Sequence, residues 1–295
     1  MAVKIYADAG SNLFPIVLQN RGVEVNVLSM RLQVGDHEYH CYNDPIDVED
    51  FSKIFYNYLE DPNIEVHTSL IAPADFLKAF KEEVKAGNQV VCFTMAKGIS
   101  GTYNSAVIAA NEVNEKEGKE VVRVIDSATA GLGEGRQAIK AAELVKEGKS
   151  FEEIVEYCRE YRWRVRSEFT VNSVAFLAQT GRVKPWVGKL ADMLGIKVML
   201  RGSYQSEIEL YDKVHGRKMA LKSLADLCAK KIVNPEQQII YITHCNALQD
   251  AETVKRLLEE RGVKSQIEIY HYDFVTGSHV GPGTIAIFYE GKDRN

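Results

Sequence analysis

The chain has 295 residues, of which 45% are hydrophobic and 26% charged, and its formal net charge at pH 7 is −5. This balance is that of a globular protein and excludes a disordered or fibrous chain. The negative charge argues against nucleic-acid binding, which generally uses a basic face. The length suits two domains of ordinary size.

Five cysteines are scattered along the chain without a CxxC pair. An odd number in this arrangement is typical of reduced thiols and predicts a cytoplasmic protein. The first residues contain no apolar stretch followed by a small-residue cleavage site. No run reaches the about 18 apolar residues that span a bilayer. We therefore expect neither a targeting segment nor membrane insertion.

The first half of the chain alternates strands with helices. Apolar runs predict strands at residues 3–7, 23–32, 89–93 and 121–125, with a turn at Gly35 and Asp36. Helical patterns predict helices at residues 47–59, from Pro73, from Thr102 and from about Arg136. Repeated strand, loop and helix units indicate an N-terminal α/β domain, residues 1–165, whose parallel sheet has helices on both faces.

The pattern changes after residue 165. Strands are predicted at residues 169–177, 197–200, 207–213, 238–242, 267–273 and 284–289, and helices at residues 187–194, 217–230 and 247–260. Residues 203–211 alternate between apolar and polar, which favours antiparallel pairing with one wet face. We therefore expect a second α/β domain, residues 166–295, with a mixed or antiparallel sheet.

The loop at residues 97–102 (KGISGT) lies between a buried strand and a helix start. Such a loop points backbone N–H groups and the positive end of a helix dipole at a bound anion. Ser100 and Thr102 add hydroxyl donors. Either residue can instead simply cap the helix, since serine and threonine commonly do so.

Three further polar loops follow predicted strands. They contain Thr68 and Ser69, Asp126 and Ser127, and Asp8 and Ser11. In a parallel sheet the loops at the carboxyl edge lie side by side, where open α/β sheets bind ligands. We therefore expect all four loops to share one edge of the sheet.

Residues 277–283 (GSHVGPG) surround His279 with three glycines and a proline. This composition predicts a tight backbone path that permits close approach of a ligand. A histidine held there can donate a hydrogen bond to a carboxylate. A structural histidine in a turn is the alternative.

Motifs for other chemistry are absent from the sequence. Gly131, Gly133 and Gly135 have the wrong spacing for a dinucleotide loop, and Gly148-Lys149-Ser150 lacks the upstream glycine of a P-loop. Residues 98–101 are one residue short of a GxSxG nucleophile motif. His37, His40 and Cys41 lack a supporting carboxylate, so no metal site is expected.

Taken in order, these segments resemble the DegV family almost from end to end. The resemblance rests on residues 8–13 (DAGSNL), Thr68-Ser69 with Pro73, residues 100–106 (SGTYNSA), residues 124–127 (VIDS), residues 180–183 (TGRV), residues 195–197 (GIK), residues 213–218 (KVHGRK) and residues 279–283 (HVGPG). Eight motifs in register make the resemblance specific.

The resemblance implies two α/β domains with a long-chain fatty acid in a tunnel between them. It implies a lipid-binding subunit of bacterial fatty acid kinase, which presents the carboxylate to an ATP-binding subunit that forms the acyl phosphate for phospholipid synthesis. The implied carboxylate-binding set is Thr68, Ser69, Lys97, Ser100, Gly101, Thr102, Ser127 and His279. Arg182 and Arg217 are implied to face the kinase. No catalytic residue, metal or cofactor is expected beyond the bound fatty acid.

Some residues depart from the family pattern. Ala96 and Lys97 stand where two serines are common, Ala9 replaces a serine, and Ile71-Ala72 replaces Pro-Ser. Lys97 either pairs with the ligand or points outward. Two other functions stay open: a hydrolase or phosphotransferase that uses Ser100 and His279, and a sensor of another carboxylate or phosphate.

Overall fold

The computed structural model describes residues 2–42, 44, 47–61, 63–192 and 194–294 of an α/β protein. The strands are β1 Val3–Asp8, β2 Asn26–Leu28, β3 Arg31–Val34, β4 His37–His40, β5 Val66–Ser69, β6 Gln89–Thr94, β7 Val122–Asp126, β8 Val165–Thr170, β9 Ile196–Gly202, β10 Ile208–His215, β11 Ile239–His244, β12 Gln266–His271 and β13 Ile285–Glu290.

The helices are α1 Pro15–Arg21, α2 Val48–Glu60, α3 Pro73–Lys85, α4 Thr102–Glu117, α5 Leu132–Lys146, α6 Phe151–Arg164, α7 Ala175–Gln179, α8 Pro185–Gly188, α9 Arg217–Lys231, α10 Leu248–Glu260 and α11 Phe274–Val280. Short 3-10 helices lie at Ala9–Ser11, Lys189–Asp192 and Pro235–Gln237. Among these helices none is long and apolar enough to cross a bilayer.

The N-terminal sheet is parallel, in the order β2-β1-β6-β7. The α3–α4 pair packs on β6 and β7, and the α5–α6 pair packs on β1, β6 and β7. Val90 to Thr94 of β6 are buried, as expected for a strand in the middle of a sheet covered by helices. The predicted parallel α/β architecture is confirmed.

A small antiparallel sheet, in the order β4-β3-β5, stands apart from the parallel one. Two predictions were therefore wrong. The strand predicted at residues 23–32 is two strands in different sheets, because the chain turns at Ser29 and Met30. Thr68 and Ser69 lie in β5 rather than in a loop of the parallel sheet, and Thr68 pairs with Leu32 of β3.

The C-terminal sheet has six strands in the order β10-β9-β8-β13-β11-β12, and only the β11–β12 pair is parallel. The predicted mixed sheet is confirmed. It begins at Val165, directly after α6 ends at Arg164. We propose a domain boundary there, which the change of sheet supports.

Two elements of the second half differ from prediction. The strand predicted at residues 169–177 ends at Thr170, and the chain then forms α7. Val174 and Leu177 are buried three residues apart, which is helical spacing. The helix predicted at residues 187–194 is α8 followed by a 3-10 turn, and residue 193 of that prediction lies outside the described residues.

The core consists of two apolar clusters. The larger includes residues of both sheets, such as Phe93 and Phe288, and of helices, such as Leu144 of α5. The smaller lies under the C-terminal sheet and includes Leu224 and Ile240. The larger cluster packs the two sheets and their helices against each other, so residues from both halves of the chain share one interior.

A buried ion pair lies on β8 of the C-terminal sheet. Arg166 Nε lies 2.7 Å from Glu168 Oε1, with side chains only 1% and 2% exposed. Arg166 lies in β8, two residues after α6 ends at Arg164. The Tyr289 hydroxyl also accepts from Arg166 Nε, at 3.1 Å.

We predict that Glu168→Gln lowers the free energy of unfolding by about 3 kcal/mol, because removing this carboxylate leaves the buried charge of Arg166 less well compensated. Asp293, 4.0 Å from Arg166, offsets only part of that loss. The matched control is Glu209→Gln, whose carboxylate is 45% exposed and pairs with Arg201. It should cost less than about 1 kcal/mol. Urea unfolding of both variants measures the difference, and equal losses would contradict the prediction.

Candidate functional site

A cavity of about 430 Å³ lies where β5, the loop after β6, the α7–α8 segment and α11 meet. Six of the eight predicted ligand-binding residues line it: Thr68, Ser69, Lys97, Ser100, Gly101 and His279. Four separate segments of the chain thus line one cavity, whose volume is in the range of small-molecule binding sites.

Thr68 and His279 are joined directly. Thr68 Oγ1 lies 2.9 Å from His279 Nε2, although the two residues are 211 positions apart. Both side chains are partly buried. The contact brings the end of β5 against α11 at the cavity, so these two side chains act as one polar unit.

His279 is held by a helix rather than by the predicted glycine-rich turn. Residues 274–280 form α11, whose first turn is capped by Asp273 Oδ1, which accepts from the Thr276 N–H at 2.6 Å. Gly281 ends the helix at a φ of +77°, and a Cβ there would lie 2.3 Å from the Phe176 ring. The glycine is required at position 281, and the tight path predicted for residues 277–283 is helical as far as Val280.

Burial keeps the His279 imidazole neutral. Desolvation, with a smaller contribution from the Arg182 charge, lowers the pKa of His279 to about 4. At neutral pH the ring therefore donates or accepts one hydrogen bond at Nε2 without carrying a charge.

Ser100 lies at the start of α4, next to the fully buried Thr102. Ser100 Oγ accepts from the Thr102 N–H at 3.2 Å and lies 2.9 Å from Thr102 Oγ1. Ser100 thus satisfies one helix N–H and still lines the cavity, so the capping and anion-binding interpretations are compatible. Thr102 supports Ser100 from behind and does not line the cavity.

Gly101 allows the two hydroxyl segments to approach. A Cβ on Gly101 would lie 3.0 Å from Leu70 Cδ2, just beyond β5. This contact brings the start of α4 against the residues that follow Thr68 and Ser69. A side chain at position 101 would require the exposed Leu70 side chain to shift by a few tenths of an ångström.

The charged residues at the cavity are cationic. Lys97 is exposed and Arg182 is half-buried, and in the described part of the chain no Asp or Glu lines this space. Arg182 donates to the carbonyl oxygens of Ile99, at 3.3 Å, and Thr180. Burial lowers its pKa. The described carboxylates all lie beyond ion-pair distance of Arg182, so an anion can enter without displacing one.

Several predicted residues lie elsewhere. Ser127 is fully buried and donates to the Thr129 carbonyl at 3.1 Å, away from the cavity. Arg217 donates to Asp250 at 2.8 Å and to the Gly283 carbonyl. Asp8 accepts from the Gly10 and Met95 N–H groups, and Ser11 is also buried. Three of the four loops expected at one edge do lie together at the carboxyl ends of β1, β6 and β7, where the Met95 N–H donates to Asp8 and the Lys97 N–H to Asp126. The expectation was wrong only for Thr68 and Ser69, which lie in β5 of the other sheet.

The Arg182 side chain lines the cavity together with the hydroxyl groups. Its expected partner-facing role stays a prediction. The His37 and His40 pair lies in β4, and no group of three or more His, Cys, Asp or Glu side chains among the described residues is arranged to hold a metal ion.

The apolar lining was missed in the sequence. Met30, Met95, Ile99, Leu177, Ile208 and Val280 complete the cavity. Ile99, Ile208 and Val280 also line a smaller chamber of about 50 Å³ that is bounded by Phe169, Tyr272 and Phe288. Such residues have the same pattern as core residues, so no sequence signal marks them. Their position gives the site a polar, cationic end and an apolar end.

Comparison with known proteins gives a consistent picture. A family model described as "Uncharacterised protein, DegV family" matches residues 2–292. A DegV domain-containing protein of Clostridium perfringens is 34% identical over 290 residues, which cover 98% of each chain.

Solved structures of similar fold carry fatty acids. A DegV family protein from Ruminococcus gnavus with vaccenic acid is 27% identical, has a TM-score of 0.82 and is matched over 98% of this chain and 99% of its own. The Streptococcus pneumoniae Fatty Acid Kinase (Fak) B3 protein loaded with linoleic acid has a TM-score of 0.81 over 99% of this chain and all of its own. At 23% identity, that second likeness shows the fold alone.

We predict that His279 makes the protein acid-sensitive. The unfolded imidazole binds a proton below about pH 6.5 and the folded one only below about 4, so lowering the pH through this window favours unfolding. Relative to His279→Gln, the wild type should lose about 2 kcal/mol of stability between pH 7 and 4.5. Urea unfolding at both pH values measures this.

Comparing the wild type with His279→Gln isolates the effect of His279, because the other groups with shifted pKa values are present in both proteins. His244, with a pKa also lowered to about 4 by burial, acts in the same direction. Asp273, with a pKa raised to about 7 by burial, acts in the opposite one. Parallel pH profiles for the two proteins would show that His279 is not responsible.

Proposed function

The chain belongs to the DegV family, and from this premise we propose that it binds a long-chain fatty acid without transforming it. The observation that carries the proposal is the composition of the cavity: hydroxyl groups and two cations at one end, and apolar walls at the other. An amphipathic anion matches both ends. Vaccenic acid in the Ruminococcus gnavus relative supports this ligand class.

The hydroxyl groups would grip the carboxylate. If the neutral His279 donates its Nε2–H to Thr68 Oγ1, the Thr68 hydroxyl keeps its own proton for a carboxylate oxygen. Ser100 Oγ accepts from the Thr102 N–H, and if the Thr102 hydroxyl is the donor in their 2.9 Å contact, the Ser100 O–H is free in the same way. Hydrogen bonds to an ionised acceptor are about twice as strong as neutral ones.

The cations would compensate the ligand charge. A carboxylate leaving water loses several kcal/mol of hydration unless charges or hydrogen bonds replace it. Arg182 and Lys97 supply positive charge beside the hydroxyl groups, and no Asp or Glu among the described residues lines this cavity. Glu207, which borders the smaller chamber, lies 3.9 Å from Lys184. In this proposal Lys97 contacts or attracts the head group instead of pointing away.

The apolar walls of the cavity, together with the smaller chamber that shares Ile99, Ile208 and Val280 with it, would take the acyl tail. An acyl chain of about 14 methylenes, at about 0.8 kcal/mol each, offers roughly 11 kcal/mol of gross burial before ordering costs. Phe169, Tyr272 and Phe288 form the apolar boundary at the far end. Thr68 and Ser100 come from residues 1–165 and Arg182 and His279 from residues 166–295, so the ligand would lie between the proposed domains.

The family resemblance further suggests that a separate kinase subunit uses the presented carboxylate to form an acyl phosphate. This chain has no P-loop or dinucleotide loop in its sequence, so ATP would be bound by the partner. Arg217 would lie on the partner-facing surface. The five cysteines are buried free thiols, which supports action in the cytoplasm.

A hydrolase or phosphotransferase is less well supported. Nucleophilic catalysis by Ser100 requires a base within hydrogen-bond reach and a group that orients that base. His279 Nε2 is instead bonded to Thr68, and Ser100 Oγ to Thr102. His279 Nδ1 is buried without a hydrogen-bond partner among the described residues. The arrangement suits binding better than catalysis.

Mass spectrometry of organic extracts of the purified protein tests the function. We expect about one fatty acid per wild-type chain and a clear loss from Thr68→Val with Ser100→Ala, because each removed bond to a charged group costs about 1.5–3 kcal/mol. Ser223→Ala, a substitution on α9 away from the cavity, is the matched control. Fatty-acid-free protein that does not bind oleate in titrations would refute the function.

Substitution of Arg182 distinguishes a role in ligand binding from a role at the partner-facing surface. We predict that Arg182→Gln weakens oleate binding about 10-fold, since it removes a cation beside the head group. The matched control is Lys184→Gln, a nearby exposed cation outside the cavity lining that pairs with Glu207. Fluorescence or calorimetric titration measures the affinity. Unchanged oleate affinity in Arg182→Gln would assign this residue to the partner-facing surface alone.

A further inference from the structure

A second cleft, of about 510 Å³, lies between α5, α6 and the amino ends of β11 and β12. It shares no residue with the fatty-acid cavity. The parallel strands β11 and β12 each span six residues, or about 20 Å, and α11 with His279 follows the carboxyl end of β12. The cleft is therefore at the opposite end of these strands from the cavity.

The carboxylates that line this cleft already have cationic partners. Glu143 lies 3.1 Å from Lys140, and Glu236 lies 3.4 Å from Lys264. Glu290 pairs with Arg164. A further lining cation, Arg21, pairs with Glu268 at 2.5 Å. Within each pair the two charges neutralise each other. One cation that lines the cleft remains to be considered.

That cation is Arg136 on α5, which is only 8% exposed. Its guanidinium donates to three neutral oxygens: the Tyr161 hydroxyl at 3.0 Å, Gln238 Oε1 at 3.0 Å and the Ile239 carbonyl. Within the described ranges no carboxylate lies within ion-pair distance of it. The nearest acidic influence is Glu290, which Arg164 already holds.

A buried guanidinium without a counter-charge is costly, since burial removes several kcal/mol of hydration from an ion. Arg136 retains donors for which the three contacts do not account, because a guanidinium has five N–H groups. The Tyr161 hydroxyl accepts from Arg136 Nε and so keeps its own proton as a donor. An oxyanion in the cleft would supply both the missing charge and the acceptors.

We propose that this cleft binds the phosphate or carboxylate group of a small hydroxylated metabolite, with Arg136 as the principal anion contact. The guanidinium geometry suits two-point contact with either group. Asn234 and Gln237 are exposed amides on the same wall, able to exchange hydrogen bonds with hydroxyl groups of the ligand. The cleft volume is large enough for more than a bare inorganic ion.

Isothermal titration of the full-length protein at constant ionic strength tests this site. The probes are ribose 5-phosphate, gluconate and, as a neutral reference, ribose. We expect saturable 1:1 binding of ribose 5-phosphate or gluconate, which distinguishes the phosphate from the carboxylate source, and no binding of ribose. Failure of both anions to bind at tens of millimolar would overturn the proposal.

Two variants place the binding in the cleft. Arg136→Gln should weaken the bound anion at least 10-fold, with oleate binding at the other cavity as the check that the variant is folded. Gln237→Glu adds a negative charge to the exposed rim and should weaken it about 3- to 10-fold by repulsion. Gln249→Glu, the same change at an exposed position on α10 outside the cleft, should leave it unchanged.

If Arg136→Gln does not fold, the comparison of Gln237→Glu with Gln249→Glu decides. Equal anion affinity in those two variants and the wild type would place any observed binding outside the cleft and overturn the proposal. Weakening in Gln237→Glu alone would support it. Because oleate binding is measured separately, failure of the anion site and failure of the fatty-acid site are distinguishable.

Discussion

The hydrogen bond between Thr68 and His279 joins two sheets and two halves of the chain at the cavity. Thr68 comes from an antiparallel strand and His279 from a helix that follows the C-terminal sheet. Without the other, neither residue would present its polar side chain to a bound anion in this geometry. The pairing positions one hydroxyl and, because His279 is neutral, does so without adding a fixed charge.

The framework behind this bond is polar and deeply buried. Asp273 caps α11, and its own N–H donates to Asn12 Oδ1. Asn12 Nδ2 donates to the His271 carbonyl at 3.0 Å, so the first loop of the chain holds the start of α11. Asp8 in turn holds that loop against Met95. The family-like first loop therefore supports the site rather than lining it.

Burial of these carboxyl groups has an electrostatic consequence. Desolvation raises the pKa of Asp8 to about 6 and that of Asp273 to about 7, and it also raises the pKa of Glu134, next to Asp8, well above its usual range. Their backbone hydrogen bonds oppose this shift. The interior thus tolerates acids as hydrogen-bond acceptors, while the cavity and the second cleft present cations to anions from outside.

Local sequence patterns determined much of the fold. The buried run of β6, the helix starts at Pro73 and Thr102 and the hydroxyl loop at Ser100 were all correctly predicted, because they depend on neighbouring residues only. The DegV resemblance added the order of the motifs. Hydrophobic periodicity reports which face of a segment is buried, and that information is contained in the segment itself.

The tertiary structure alone decided how these pieces meet. The sheet that contains Thr68, the α7 helix in place of a strand, the position of Arg182 at the cavity and the isolation of Arg136 each depend on residues far along the chain. Pairing partners, counter-charges and cavity walls are properties of contacts between distant segments. An apolar side chain that lines a cavity has the same local pattern as one that fills the core, so only the folded chain distinguishes them.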